Sequence, residues 1–267
     1  MSGIFYKEHL SYHERRICLK NRYGLTGRGV SVAVLDTGIT PHIDFDNRIL
    51  VFLDLIFGHA QPYDDNGHGS HVAGLIGGSG RASKGRYEGM APECGFVILK
   101  ILDHRGNGRK QDVLKAIDWA GNEKEIQYPD LNISVGTTEQ EKVLHDLLIE
   151  AVEQAWDDGL VVVTAAGNLG PGSGTVTAPG SSRKVITVGS SDLLTGADGI
   201  SGCGPTRDCV CKPDLVAPGK DIVSCARESA AGNMPGRAEP PCPRLRFPGP
   251  SPLRCRKRLI SQMCRLK

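Results

Sequence analysis

Short apolar segments rich in β-branched residues alternate with helical segments along most of this chain, and this alternation constrains the fold more than any other feature. Strands that are apolar throughout, rather than at every second residue, are typical of a parallel sheet covered on both faces. The predicted strands are residues 30–35, 96–102, 131–135, 161–166 and 185–188. We therefore predict an α/β fold with a doubly wound, mostly parallel sheet and helices on both faces.

Three helices are predicted between these strands. Residues 68–76 are largely apolar and are followed by Gly77 and Gly78, which should end the helix. Two amphipathic stripes predict the others: Val113, Leu114, Ile117 and Ala120, and then Leu144, Leu147, Leu148, Ala151, Val152 and Ala155. The regularity stops after Ser224. We predict a lead-in at 1–24, an α/β domain at 25–226 with its C-terminal part incomplete, and an aberrant, disordered Pro/Arg-rich tail at 227–267.

Charge and cysteine content limit the class of protein. Residues 227–267 carry ten Lys and Arg against two Asp and Glu, a net charge of +8, so residues 1–226 carry −6. A basic tail could bind nucleic acid, which is one interpretation of this chain. No apolar run is long enough to span a membrane, and the N-terminus has no secretory apolar core. Together with nine scattered cysteines, these features predict a cytoplasmic protein with free thiols.

Two metal sites are conceivable from the sequence, and we predict neither. Cys203, Cys209 and Cys211 lie close together, but they contain no CxxC pair and no well-spaced histidine accompanies them. The other would involve Asp44. The expectation is therefore a protein without a cofactor.

Three polar residues follow or begin predicted apolar elements. Asp36 ends the first strand, just before Thr37 and Gly38, and Asn168 follows the strand at 161–166. His68 begins the first helix between two glycines. Open α/β sheets carry their sites at the carboxyl ends of their strands, so all three are candidate site residues. Taken singly, each is better explained as a turn, cap or surface residue.

The motifs around these residues resemble those of the subtilisin-like serine proteases. The chain reads DTGI at Asp36, HGSHVAG at His68 and AAGN before and at Asn168, in the order and at the approximate spacing of that family. The resemblance extends to GMAP at 89–92, LNISVG at 131–136 and KPDLVAPG at 212–219. It covers roughly residues 25–225 and implies a serine endopeptidase that cleaves unfolded or extended polypeptides.

The resemblance also implies a role for each of these residues. His68 would be the general base, which suits a side chain that exchanges protons near neutral pH, and His71 would be structural. Asp36 would orient and stabilise the imidazole. Asn168 would donate its side-chain amide to the oxyanion hole. Asp44 falls near a calcium ligand of some family members, but the other ligands are not recognisable, so calcium is unsupported.

Substrate-binding segments are implied in the same way. Two edge segments would hold an extended peptide by strand addition, and two segments would form the walls of the primary pocket. The residues concerned are Gly106, Asn107, Gly108, Ser134, Val135, Gly136, Ala165, Ala166 and Gly167. The small side chains at 134–136 and 165–167, which would form the walls of the primary pocket, predict a roomy, mainly apolar slot.

The nucleophilic serine of the family is missing. Family members carry a GTSMA motif about twenty residues after the APG motif, whereas this chain reads RAEPPCPRL there. None of Ser224, Ser229, Ser251 and Ser261 precedes a predicted helix, and prolines flank Ser251. We therefore predict that this chain has no nucleophile, is inactive and is only marginally folded.

The genetic code suggests why the motif is missing. When the last base of each codon is read with the first two bases of the next, codons permitted from Ala238 to Pro252 spell GTSMSTPPVSGAVA. This is the missing motif and its helix, at the expected distance from Gly219. We interpret the tail, from a point between Cys225 and Gly236 onward, as a frameshift, which also weakens the nucleic-acid interpretation. The remaining alternative is a pseudoenzyme that binds extended peptides without cutting them.

Overall fold

The computed structural model describes residues 25–122, 130–136, 142–190, 201–217 and 222–226. The chain forms seven strands and three helices of more than three residues within these ranges. In chain order these are β1 Ser31–Asp36, β2 Ile49–Asp54, α1 His68–Gly77, β3 Gly95–Lys100, α2 Lys110–Asn122, β4 Asp130–Ile133, α3 Lys142–Asp157, β5 Val162–Ala165, β6 Ile186–Ser190 and β7 Leu215–Ala217. The lead-in and tail predicted at 1–24 and 227–267 lie outside the described residues.

All seven strands belong to one parallel sheet with the order β2-β3-β1-β4-β5-β6-β7. After β1 the chain passes to the edge strand β2 and returns to β3 beside β1, and it then continues to β4 and the later strands on the other side of β1. This reversal makes β1 the switch point of the sheet, and ligands bind in the crevice beyond the carboxyl ends of strands at such a point. Asp36 is the last residue of β1. The predicted doubly wound parallel sheet is confirmed.

The two faces of the sheet bury separate cores. Val32 and Val34 of β1 pack in the layer that includes α1, whereas Ala33 and Leu35 pack in the layer that includes α2 and α3. Successive side chains of a strand point to opposite faces, so an uninterrupted apolar strand supplies both layers. This is why the strands of this chain are apolar throughout.

Several predicted boundaries differ from the structure. β3 ends at Lys100 rather than at residue 102, and β4 ends at Ile133 rather than at 135. The strands β2 and β7 were not predicted, because both lie at the sheet edges, where apolar and exposed residues mix. Leu147, assigned to the buried stripe of α3, is 41% exposed, while Leu148 and Val152 are buried.

In the described part of the chain, no helix has the length and apolar character to span a membrane.

Candidate active site

Asp36 and His68 form a direct contact at the carboxyl end of β1. Asp36 Oδ1 lies 2.7 Å from His68 Nδ1, so a proton on Nδ1 is donated to the carboxylate. The Asp36 side chain is fully buried, whereas the His68 ring is 25% exposed. The structure thus brings together the two residues that the motifs singled out. The buried Asp36 carboxylate orients the partly exposed imidazole of His68.

The environment of Asp36 keeps it ionised. Burial alone would raise its pKa, but the charge of His68 and hydrogen bonds from His68, Thr37 and Ser134 lower the pKa below its ordinary value. The Thr37 N–H donates to Asp36 Oδ1 at 2.7 Å. A permanently charged carboxylate stabilises the protonated form of the neighbouring imidazole.

Asp64, which sequence analysis missed, positions the start of α1. Its Oδ1 accepts hydrogen bonds from Gly67 N–H at 2.7 Å and from Thr37 Oγ1 at 2.9 Å, and its Oδ2 accepts from Ser70 N–H at 2.8 Å and Ser70 Oγ at 2.7 Å. The Thr37 hydroxyl oxygen in turn accepts from Gly69 N–H at 2.9 Å. These bonds join the end of β1 to the helix that carries His68. An aspartate shortly before a helix is a capping signal that could have identified it.

Asn66 connects His68 to the loop after β3. Its Oδ1 accepts from the His68 N–H at 3.1 Å, and its Nδ2 donates to the His104 carbonyl at 3.0 Å. Gly106 lies beside this amide, because a Cβ on Gly106 would come within 4.0 Å of Asn66 Nδ2. The predicted segment Gly106, Asn107 and Gly108 is therefore an exposed loop next to the residues that precede His68.

Lys100 is a second residue that the sequence analysis missed. It ends β3 directly beside Asp36 in the sheet register, and its side chain is fully buried. Lys100 Nζ donates to the Thr37 carbonyl at 2.6 Å, to Asp65 Oδ1 at 2.7 Å and to the Leu102 carbonyl at 2.9 Å. A buried ammonium with three acceptors fixes the turn after Asp36. A lysine at the end of an otherwise apolar strand is the signal that could have found it.

The segments predicted to form the walls of the pocket meet around Thr177. A Cβ on Gly136 would lie 2.3 Å from Thr177 Oγ1 and 3.4 Å from Gly167 Cα, and a Cβ on Gly167 would lie 2.2 Å from the same hydroxyl. Ser134 accepts from Asn132 Nδ2 at 3.3 Å, and its hydrogen bond to Asp36 lowers the pKa of that carboxyl. The segments at 134–136 and 165–167 therefore adjoin each other, and the first also adjoins the Asp–His pair. Thr177 was not predicted, since nothing near it in the sequence marks a site.

Asn168 lies at the same edge of the sheet as Asp36. It follows Gly167, which has φ +88°, three residues after the end of β5. Its side chain is exposed, while Ala165 and Ala166 are buried. Since β5 is separated from β1 by β4 alone, the carboxyl ends of all three strands lie side by side at the edge of the sheet where α/β folds form their ligand crevice.

The segment 222–226 packs against the second turn of α1. His71 Nε2 lies 3.1 Å from the Ile222 carbonyl, and Ser224 Oγ donates to the His71 carbonyl at 2.8 Å. Ser224 is therefore buried and held by the main chain of α1. Burial lowers the pKa of His71 to about 4, so it is a neutral structural residue at physiological pH. Ser229, Ser251 and Ser261 lie outside the described residues.

Asp44 belongs to a group of side chains that could hold a metal ion. In the described ranges, the one group of three potential metal ligands comprises Asp44, His42 and Cys225, so Cys203, Cys209 and Cys211 do not form such a group. Calcium takes six to eight oxygen ligands, whereas an imidazole and a thiol dominate here. This donor set does not fit calcium.

A profile of the subtilase family matches residues 27–239, and the chain belongs to this family. Serine protease AprX of Bacillus subtilis (strain 168) is 43% identical over 225 residues, covering 77% of this chain and 50% of AprX. Subtilisin Savinase of Lederbergia lenta is 32% identical over 213 residues, covering 80% and 72% of the two chains. A crystal structure of a cold adapted subtilisin-like serine proteinase matches with a TM-score of 0.61 at 33% identity, covering 76% of this chain and 67% of that one. The chain thus spans about half the length of AprX.

Proposed function

We propose that this chain is the scaffold of a subtilisin-like serine endopeptidase for extended polypeptides, and that the chain itself is inactive because it lacks the nucleophile. The observation that carries the proposal is the 2.7 Å contact between His68 Nδ1 and buried Asp36 at the switch point of a subtilase fold. A carboxylate that holds Nδ1–H leaves Nε2 as the ring nitrogen that can accept a proton from a nucleophile.

Each residue of the pair has a defined task in acyl transfer. Asp36 keeps the imidazole in the Nδ1–H tautomer and stabilises the imidazolium that forms during attack. His68 removes the nucleophile's proton and later delivers it to the leaving amine. Asn168, exposed beside the crevice, would donate its amide to the oxyanion.

Substrate binding would use the small-residue segments on both sides of the crevice. The loop at 106–108 and the segment at 134–136 offer main-chain groups to which an extended peptide can add as a strand. Glycine at 136 and 167 is needed there, because a Cβ at either position would overlap Thr177. The segments at 134–136 and 165–167 would form the walls of the slot for one substrate side chain.

The proposed inactivity has two supports. Ser224 binds the main chain of α1, and the family match ends at residue 239, next to the codons that spell the GTSM motif out of frame. Without a serine the acyl-enzyme cannot form, and residual catalysis by binding and the oxyanion hole is about 10³–10⁴ over water at most. That range comes from triad deletions in subtilisin, a member of the same family, and is carried over to this chain.

A fluorophosphonate probe tests the proposal on the purified chain. We expect no covalent labelling and no cleavage of unfolded casein. The matched control is the same chain with its tail recoded in the neighbouring frame, which should be labelled, whereas its His68→Ala variant should not. Labelling of the unrecoded chain at a serine would contradict the inactivity, and silence of the recoded chain would contradict the protease function.

A peptide-binding pseudoenzyme is the second candidate, because the binding segments persist in this chain without the serine. It predicts saturable binding of an extended peptide, measured by fluorescence anisotropy, that a bulky Gly136→Val substitution abolishes. Absence of binding would remove this candidate.

We further propose a cytoplasmic location and a polypeptide, rather than a nucleic acid, as partner. Five cysteines among the described residues are thiols that form no disulfide, which suits a reducing compartment: Cys94, Cys203, Cys209, Cys211 and Cys225. Nucleic-acid binding through the basic tail would instead show affinity that falls steeply with salt. Fractionation of cells and a salt titration with DNA test these two statements.

A further inference from the structure

Three potential metal ligands from distant parts of the chain converge beside α1. His42 and Asp44 lie between β1 and β2, and Cys225 lies in the segment 222–226. Their ligand atoms are all within 4.8 Å of one another. Asp44 is 2% and Cys225 is 4% exposed, while His42 is half-buried at the edge of the cluster. This cluster is separate from the Asp36–His68 pair and has no task in the proposed protease mechanism.

One distance within the cluster, that of the hydrogen bond from the Cys225 thiol to Asp44, matches a tetrahedral zinc site. Cys225 Sγ lies 3.7 Å from Asp44 Oδ2. Zinc binds thiolate sulfur at about 2.3 Å and carboxylate oxygen at about 2.0–2.2 Å, and the tetrahedral angle then separates the two ligand atoms by about 3.6 Å. The thiol and the carboxylate thus already stand near the separation that a shared zinc ion requires.

The surroundings orient two of the ligands toward the cluster. Asp44 Oδ1 accepts a hydrogen bond from Ala82 N–H at 2.8 Å, so Oδ2 is the oxygen that faces Cys225. Hydrogen bonds of this kind, behind the ligand atom, fix ligand orientation in metal sites. His42 Nδ1 accepts from the main-chain N–H of Asp44 at 3.1 Å, which holds the imidazole beside Asp44, and Nδ1 would give up this hydrogen bond to bind the ion.

Charge balance also favours a cation at this place. Arg48 donates to the main-chain carbonyl of Asp44, and within the described ranges no Lys or Arg forms an ion pair with its carboxylate. A buried carboxylate without a cationic partner is costly. A divalent ion bound by Asp44 and by the thiolate of Cys225 would remove this cost.

We propose that His42, Asp44 and Cys225 form a zinc site, with the fourth position open to water or a further donor. The ligand set of nitrogen, oxygen and sulfur suits zinc and not calcium. The ion would tie the segment 222–226 to the chain after β1. Because the same segment packs on His71 of α1, zinc would stabilise the helix that carries His68.

Zinc and cobalt binding to the full purified chain test the site. After chelator treatment and addition of Zn²⁺, we expect one zinc per chain by elemental analysis. Co²⁺ in its place should give a thiolate-to-metal charge-transfer band in the near ultraviolet. His42→Gln and Cys225→Ser should each weaken zinc binding at least about 100-fold, more than loss of an outer contact does. The matched control Cys209→Ser, at an exposed free cysteine, should leave the affinity unchanged.

Thermal unfolding separates a binding defect from a folding defect. Zinc should raise the Tm of the wild-type chain and of Cys209→Ser, and it should not raise the Tm of Cys225→Ser or His42→Gln. His42 is half-buried, so its variant should remain folded by circular dichroism. Absence of a thiolate band with Co²⁺, or equal zinc affinity in Cys225→Ser and Cys209→Ser, would overturn the proposal. In the second case the ion binds other cysteines.

Discussion

The two sides of the crevice differ in how their side chains are held. On the side of β1 and α1, Asp36 is fully buried, and Asp64 receives hydrogen bonds from both elements. On the side of β5, Asn168 is exposed at the end of a glycine turn. Groups that transfer protons must be oriented before substrate arrives, whereas groups that contact substrate must remain accessible.

The difference follows from the kinds of bond used on each side. Buried charges such as Asp36 and Lys100 are tolerated only when several hydrogen bonds compensate for lost water, so they impose a single geometry. The β5 side is built from glycines and small residues, and Asn168 at its end is exposed. Mutations of the residues that support the first side, such as Asp64, should therefore act mainly on stability, whereas mutations of the second side should act mainly on turnover.

Supplying the missing nucleophile should have the largest effect on activity. A chain recoded from Cys225 onward in the neighbouring frame should cleave casein about 10⁶-fold faster than the present chain, the size of the loss when the serine is removed from subtilisin itself. Initial rates with both proteins measure this. A recoded chain that folds but stays inactive would show that the Asp36–His68 pair is not catalytic.

Substitution of Asp64 should cause the largest loss of stability. Asp64→Ala removes the acceptor of hydrogen bonds from Thr37, Gly67 and Ser70, so the free energy of unfolding should fall by about 3–5 kcal/mol. Urea denaturation provides the measurement. The control is Asp157→Asn at an exposed ion pair with Lys184, which should change it by less than about 1 kcal/mol. Equal changes in the free energy of unfolding for Asp64→Ala and Asp157→Asn would contradict the structural role of Asp64.

His71 should make the β1–α1 side sensitive to acid. Its pKa of about 4 in the folded chain lies below the value of 6.5 expected for the unfolded chain. Between these values the unfolded state binds the extra proton, so stability is fully present above pH 6.5 and is lost as the pH falls toward 4. The wild-type chain should lose about 3 kcal/mol more than His71→Gln over this range. Denaturation at several pH values measures the difference.

The control for this pH dependence is His104→Gln, because His104 is exposed. This variant should follow the wild-type curve. A wild-type curve parallel to that of His71→Gln would mean that His71 is protonated without cost in the folded chain.

Asn168 should have the smallest effect on stability. Asn168→Ala removes an exposed side chain, so the free energy of unfolding should stay within about 0.5 kcal/mol of the wild-type value. In the recoded chain the same change should lower kcat by about 10²–10³, the range known for this donor in subtilisin. Denaturation and casein cleavage, measured on the same preparation, test both halves. A large loss of stability would contradict the contrast between the two sides.

Much of the fold was predictable because the hydrophobic pattern of each strand and helix lies within a short stretch of sequence. The apolar run before Asp36 and the Gly77–Gly78 pair after α1 predicted β1 and α1 to within a residue or two. The edge strand β2 was missed, since Leu50 is 53% exposed and its apolar pattern alone does not separate an edge strand from a loop. Asp36 and His68 were found through their motifs, but Asp64, Lys100 and Thr177 were not.

The sequence by itself determined the α/β class, the strand ends that carry Asp36 and Asn168, and the absence of a serine motif. Each of these features depends only on residues that are adjacent in the sequence. Only the tertiary structure decided that Asp64 joins β1 to α1, that Lys100 fixes the turn after Asp36, and that Cys225 meets Asp44 across 181 positions. These contacts depend on which strands lie side by side. Strand register and packing bring side chains together that are distant in the sequence, and a local sequence pattern does not predict such contacts.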